Sequence, residues 1–336
     1  MSSQRLKPKR IVVVGGGTGT HTVLSGLKHY ANRHLKLSAI IAVSDSGGST
    51  GRLRDEFGTL PVGDVRMALT ALSSDTNGTD LLRDLFLYRF SKGTGLSGHN
   101  IGNLFLTALA DMLGSEAKAI DAASRILRVR GNVIPVADTP LTLKARYADD
   151  TEQIGETYID EPLENHDGTQ RITSLSLEPD VAISEKARQA IADADLIILG
   201  PGGLYTSILP NIIVRGAADA LVETKGKLVS IVNLMSWYGQ THGFSASDHV
   251  DELMRYIGRA PDHILLNDNP LPNDILKTYE SHKEFPVPDN FGSDSRVIRS
   301  DFLAFEEVKK PSGDILKRSL IRHDPSKLAR AIMSLL

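Results

Sequence analysis

Along the chain a short, fully apolar run is followed by an amphipathic segment, and the unit repeats. Ile11–Val14 is the first run, and Thr18–Tyr30 after it sets Val23, Leu24 and Leu27 on one face, as a helix with one buried side does. Leu37–Val43 is the second run. Apolar residues at consecutive rather than alternate positions fit a strand buried on both faces, which predicts a parallel sheet wrapped by helices. From Thr50 to Leu127 the spacing is helical, over Arg52–Phe57, Asp64–Leu72, Asp80–Phe90, Asn103–Leu113 and Ala117–Leu127. The pattern changes near Val129. Val133–Val136, Leu141–Tyr147, Thr157–Ile159 and Ile172–Leu177 are short, partly alternating and separated by polar turns. They predict an antiparallel group inside a small β-rich insertion over residues 129–180. The first unit then resumes, with helices over Ser184–Asp193, Asn211–Thr224, Asp248–Ile257 and Asp274–Ser281. The strands between them are Leu196–Leu199, Leu228–Asn233 and His263–Asn267. Lys283–Ser300, polar and carrying Pro286 and Pro288, reads as an irregular crossing before a last helix, Ser326–Leu336. Residues 1–336 are expected to form a single α/β domain.

Three of the runs end in glycine. Ile11–Val14 leads into Gly15-Gly16-Gly17-Thr18-Gly19-Thr20, Ile40–Val43 into Ser44-Asp45-Ser46-Gly47-Gly48-Ser49-Thr50-Gly51, and Leu196–Leu199 into Gly200-Pro201-Gly202-Gly203-Leu204-Tyr205-Thr206-Ser207. A buried strand that ends in glycine, with Ser or Thr opening a helix, leaves backbone N–H groups where phosphate oxygens can sit. A parallel sheet gathers such strand ends on one edge, so three of them point to a phosphorylated ligand. The first loop does not fit a dinucleotide fingerprint, because the acid at the end of the second strand is Asp45, later than that motif requires. No Gly-Lys-Ser/Thr follows it either.

Composition narrows the function by exclusion. A net charge of −3 gives no basic footprint for nucleic acid. With no cysteine in the chain, thiolate catalysis, disulfides and cysteine zinc sites are ruled out. The basic stretch Met1–Arg10 is followed by only four apolar residues, and no run approaches ~18–20 apolar residues, so a cytosolic protein without membrane insertion is expected. Among candidate side chains, Asp45 could hold a divalent metal, accept from a ribose hydroxyl or cap the helix after it. Arg66, in Asp64-Val65-Arg66, is suited to phosphate. In Gly98-His99-Asn100-Ile101-Gly102-Asn103, His99 could contact phosphate, act as acid or base, or serve as a structural hydrogen-bonder at a helix start, and Asn103 could donate to phosphate or base. No Gly-x-Ser-x-Gly elbow supports a serine nucleophile.

In this order the segments resemble the CofD-like family: Val13–Gly19, Asp45–Arg54, Leu60–Arg66, Leu87–Phe90, Gly98–Asn103, Gly200–Asn211 and Ile321–Asp324. The resemblance is closer to the gluconeogenesis-factor branch, which binds UDP-N-acetylglucosamine and is needed for cell shape, than to the 2-phospho-L-lactate transferase branch. It implies a Rossmann-like three-layer fold whose strand-end loops hold a nucleotide diphosphate. Gly16, Gly17 and Thr18 would line the phosphates, with Asp45, Gly47, Gly48 and Ser49 at the second loop. Gly202, Ser207 and Asn211 would close the opposite side. Tyr279 and Arg322 would be the aromatic and basic positions for the nucleotide sugar. The implied function is a regulator that binds a nucleotide sugar and acts through a regulatory protein partner, with pairing between copies plausible. The alternative is a transferase of a phosphoryl-linked group, with Mg²⁺ on Asp45 and Asp45 catalytic. Two positions depart from the family. Ser46 stands where members carry a second acid, and Asn233–Thr241 has lost an acid and gained the sole tryptophan, Trp237, which would stack on a base or fill an apolar gap.

Overall fold

The computed structural model of the chain describes residues 7–75, 79–163, 166–304 and 320–336. Seven strands form one sheet: β1 (Lys9–Gly15), β2 (Leu35–Ile41), β3 (Asn132–Pro135), β7 (Leu196–Leu199), β8 (Lys227–Ile231), β9 (His263–Asn267) and β10 (Val297–Ser300). Their order is β10-β9-β8-β7-β1-β2-β3, and every pairing within it is parallel. The three strands between, β4 (Thr142–Tyr147), β5 (Glu152–Ile154) and β6 (Ile172–Glu178), form a separate antiparallel sheet in the order β5-β4-β6.

The sheet is apolar on both faces, as its consecutive apolar residues require. Val12, Val14, Ile197 and Leu199 face one core, and Ile11, Val13, Ile198 and Ile231 face the other. Each such fully buried side chain contributes roughly 1.5–3 kcal/mol. Helices Gly17–Leu27, Gly63–Leu72 and Pro325–Met333 cover the second face. Helices Glu185–Ala192 and Ala217–Glu223 cover the first. The small antiparallel sheet joins that layer through Leu143, Ala145, Tyr147 and Ile172. The architecture is therefore a three-layer α/β fold built on a parallel sheet, as its apolar runs require.

Three expected elements differ. Thr157–Ile159 is not a strand but part of the helix Glu156–Asp160. Gly155 enters it at φ 101°, and Ser46 anchors its first turn. The helix expected over Asn211–Thr224 is two pieces, Leu209–Ile212 and Ala217–Glu223, because Gly216 between them takes the left-handed backbone at φ 84°. The crossing expected over Lys283–Ser300 ends in β10, the sheet's edge. No described helix is long and apolar enough to cross a membrane.

Candidate functional site

The strand order reverses between β1 and β7. The chain leaves β1 toward β2 and the second face, through helix Gly17–Leu27, and leaves β7 toward β8 and the first face, through Leu204–Ile212. Diverging connections leave a crevice at the carboxyl ends of the two strands, where open α/β sheets bind ligands. The first and third glycine loops form its walls, and they touch. A Cβ on Gly19 would lie 2.0 Å from the Pro201 carbonyl oxygen, so no larger residue fits there without displacement. Asn211 ties the walls together, its Nδ2 donating to Gly15 O (3.2 Å) and Ser207 O (2.8 Å). Asn233, beyond β8, holds Gly202 in a reciprocal pair: Gly202 N donates to Asn233 Oδ1 (3.1 Å) and Asn233 Nδ2 to Gly202 O (2.8 Å).

The amino end of helix Gly17–Leu27 has no capping side chain of its own, since Gly16 precedes it. Asp64 supplies the cap from the helix Gly63–Leu72, accepting from Gly17 N at 2.9 Å. A Cβ on Gly16 would lie 2.1 Å from Asp64 Oδ2, so Gly16 is what lets the carboxylate approach. A carboxylate thus sits on a backbone N–H of the first glycine loop, and Thr18 beside it is exposed.

The second glycine loop meets the same helix. Asp45 is half-buried; its Oδ1 accepts from Gly47 N at 2.8 Å, and its Oδ2 is 2.7 Å from where a Cβ on Gly63 would be. Gly48, exposed and at φ 47°, opens the helix Gly48–Phe57. Arg66 is buried and donates through Nε to Asn103 Oδ1 (2.8 Å), while Asn103 Nδ2 donates to Thr50 Oγ1 (3.3 Å). Asn103 N donates to Asn100 Oδ1 (3.2 Å), Asn100 N to Ser49 Oγ (3.2 Å), and Ser49 Oγ bonds His99 Nδ1 (3.2 Å). Burial and the Arg89 charge pull the Arg66 guanidinium down to about 10 against the opposing effect of Asp64 and Asp45, so it stays charged at neutral pH. Burial, with Arg52 and Arg89, lowers His99, which favours the neutral imidazole.

Asp45, Ser49, Arg66, His99 and Asn103 therefore share one neighbourhood, and Gly16, Gly17, Gly202, Ser207 and Asn211 share another. Asp64 belongs to both. Tyr279 stands apart: it is buried with Leu303 and Ile321, and its hydroxyl accepts from Ile321 N at 3.2 Å. It braces the backbone that carries Arg322. Arg322 is half-buried, and its charge reaches His21 on helix Gly17–Leu27, which burial and nearby cations lower to about 4.

Asp64, Asn233, Thr157 and Asp160 are site-bordering residues outside the sequence-derived set. Thr157 N donates to Ser46 Oγ (3.1 Å), so Ser46 serves as an anchor for the helix Glu156–Asp160. Among the described residues no group of three or more His, Cys, Asp or Glu side chains could hold a metal ion. Asp45 would fit Mg²⁺ only as a single carboxylate beside ligand phosphates and water, the usual way a protein shares that ion.

The sequence profile described as 2-phospho-L-lactate transferase CofD matches residues 11–303. The chain belongs to the CofD family. Within this family it is 37% identical over 336 residues to the gluconeogenesis factor of Bacillus subtilis strain 168, covering 98% of both chains. It is also 37% identical to the gluconeogenesis factor of Listeria innocua, over 99% of this chain and 97% of that one. The crystal structure of a UPF0052 family protein from Bacillus halodurans superposes with a TM-score of 0.86 at 35% identity, covering 98% of this chain and 99% of that one.

Proposed function

We propose that this CofD-family protein is a cytosolic regulator that binds a nucleotide sugar, UDP-N-acetylglucosamine, and links gluconeogenic growth to cell-wall synthesis and cell shape. The observation that carries the reading is the β1/β7 crevice. Two glycine-rich walls meet there at a strand-order reversal, and the buried Arg66 cation, bonded to Asn103, lies on the helix whose Asp64 caps the first wall. Gly16, Gly17, Thr18, Gly202 and Ser207 would face the diphosphate, with Arg66 and Arg322 supplying positive charge. The gluconeogenesis-factor relatives, matched along nearly their whole length, support the same branch. Calorimetric titration with UDP-N-acetylglucosamine in Mg²⁺, with GDP as comparator, tests it. Micromolar binding of the UDP-sugar without continuing reaction heat is expected; tighter GDP binding, or none of the UDP-sugar, refutes it.

One observation favours a transferase as the second reading. Asp45 and Asp64 both lie at the first turn of helix Gly63–Leu72, so a second carboxylate is close even though Ser46 is not acidic. Mg²⁺ on Asp45 would supply electrostatic stabilisation of a transferred phosphoryl-linked group. Turnover of a nucleotide-activated donor that requires Mg²⁺ and is lost in Asp45→Asn would establish this reading over the first.

A further inference from the structure

Next to the third glycine loop lies a group of acceptor atoms: the Asp160 and Glu284 carboxyls and the Gln240 amide oxygen. Asp160, at the end of helix Glu156–Asp160, is 3% exposed and takes bonds from Gln240 Nε2 (3.2 Å) and Thr206 Oγ1 (3.5 Å) through Oδ1. Trp237 donates its indole N–H to the Asp160 carbonyl at 3.1 Å, which fixes the ring across this helix end. Glu284 is half-buried and directly precedes Phe285, which pairs with Ser236 beside Trp237 (Ser236 N to Phe285 O 2.7 Å, Phe285 N to Ser236 Oγ 2.9 Å); burial together with the Asp160 charge pushes its carboxyl up to about 7. The two acids therefore act on one another. Gln240 is 2% exposed, and its Oε1 is buried without a hydrogen-bond partner among the described residues, although its amide end sits against Asp160. A buried acceptor left without a donor costs about 1–3 kcal/mol, so such a group needs a ligand to satisfy it.

The chemistry of the missing donor can be narrowed. Phosphate is repelled by the Asp160 carboxylate and gains no cation here in exchange. A base edge brings acceptors as well as donors, and no group of three or more metal-ligating side chains is present among the described residues. Adjacent sugar hydroxyls carry no charge and can each turn their hydrogen toward an acceptor, whereas the acceptors of a base edge are fixed in place. Thr206 directly precedes Ser207, whose Oγ is 3.9 Å from a Cβ position on Gly17, so the group lies one residue beyond the crevice. We propose that Gln240 Oε1, Asp160 and Glu284 form a sugar subsite that accepts hydrogen bonds from hydroxyls of the bound nucleotide sugar. This rests on the nucleotide-sugar reading above and assigns it a specificity element. The hydroxyls belong either to the ribose or to the hexose.

The test is calorimetry of the full chain with UDP and with UDP-N-acetylglucosamine, on unaltered protein and on Glu284→Gln, Gln240→Met and the surface control Glu280→Gln. Glu284→Gln puts a donor among acceptors at a half-exposed position, so it keeps the fold; thermal melts check Gln240→Met. About 10- to 100-fold weaker binding of the UDP-sugar in both site variants, with the control unchanged, is expected. Loss confined to the UDP-sugar assigns the hexose, and equal loss with UDP assigns the ribose. Affinities within twofold of the unaltered protein for both ligands overturn the subsite alone. Failure of the unaltered protein to bind either ligand overturns the nucleotide-sugar reading and the subsite with it.

Discussion

Asp64 makes the most demanding prediction, because a carboxylate on the first glycine loop opposes any phosphate brought there. Asp64→Asn keeps an amide oxygen able to accept from Gly17 N and removes only the charge. A carboxylate and a phosphate about 5 Å apart repel by roughly 3 kcal/mol at an effective dielectric of about 20, and by roughly 1 kcal/mol when water fills the cleft. Removing that charge should tighten UDP-N-acetylglucosamine binding by about 5- to 150-fold in EDTA. The gain should shrink in Mg²⁺ if a cation brought with the ligand phosphates sits at Asp45, since it would screen the carboxylate. The same change removes a negative charge from a helix amino end, which costs about 0.3–1 kcal/mol of stability, so affinity and stability should move in opposite directions. Calorimetry in EDTA and in Mg²⁺, with a urea curve on each protein, reads both. Equal affinity of the two proteins in EDTA would refute a phosphate position at the β1 loop.

Arg66→Met keeps the stem's packing but leaves Asn103 Oδ1 and the two nearby carboxylates without their cation. A loss of about 3–5 kcal/mol in urea unfolding at pH 7 is expected, the range for breaking a buried charge network. Gly19→Ala drives a methyl into the Pro201 carbonyl and should cost about 1–3 kcal/mol by the same assay; an unchanged midpoint would mean that the two walls are not in contact. Glu284 gives a pH signature. Its folded-state value is raised from 4.5 to about 7, so between these values the native state holds a proton that the unfolded chain has released. Its contribution to stability is complete below pH 4.5 and is lost as pH rises through 7. Glu284→Gln does not titrate, so its melting temperature relative to the unaltered protein should rise from pH 5 to pH 7.5, and a constant difference would be contrary evidence.

The strands were readable where burial on both faces makes every position apolar. Ile11–Val14 and Leu196–Leu199 are at most 2% exposed, and nothing but a central strand accounts for them. β10 was not readable, because an edge strand has one neighbour and can carry polar residues: Val297-Ile298-Arg299-Ser300 includes an arginine that pairs with Asp289. Thr157-Tyr158-Ile159 has strand propensity, yet it is helical because Ser46, 111 residues away, holds its first turn. The glycine loops were legible since glycine's backbone freedom is a local property. Their partners were not. Asp64 reaches Gly17 across 47 positions and Asn211 reaches Gly15 across 196, distances at which no spacing rule applies.

The β-rich insertion acquires a purpose from the same contacts. Its helix Glu156–Asp160 is bonded at one end to Ser46 in the loop after β2. At the other end it is bonded to Thr206 in the loop after β7 and to Gln240 and Trp237 in the loop after β8. Ser46 accepts from the Thr157 N–H and bonds the Thr157 hydroxyl without bringing a charge, so it suits a joint better than it suits a metal ligand. Five residues thus connect three strand-end loops. A ligand that reorders one loop must either carry the helix with it or break these bonds, and in the first case the other two loops move as well. Loss of that coupling in Ser46→Ala, read as faster amide exchange in Glu156–Asp160 than in the unaltered protein, is the expected outcome, and unchanged exchange would show that the Ser46 end does not hold the helix.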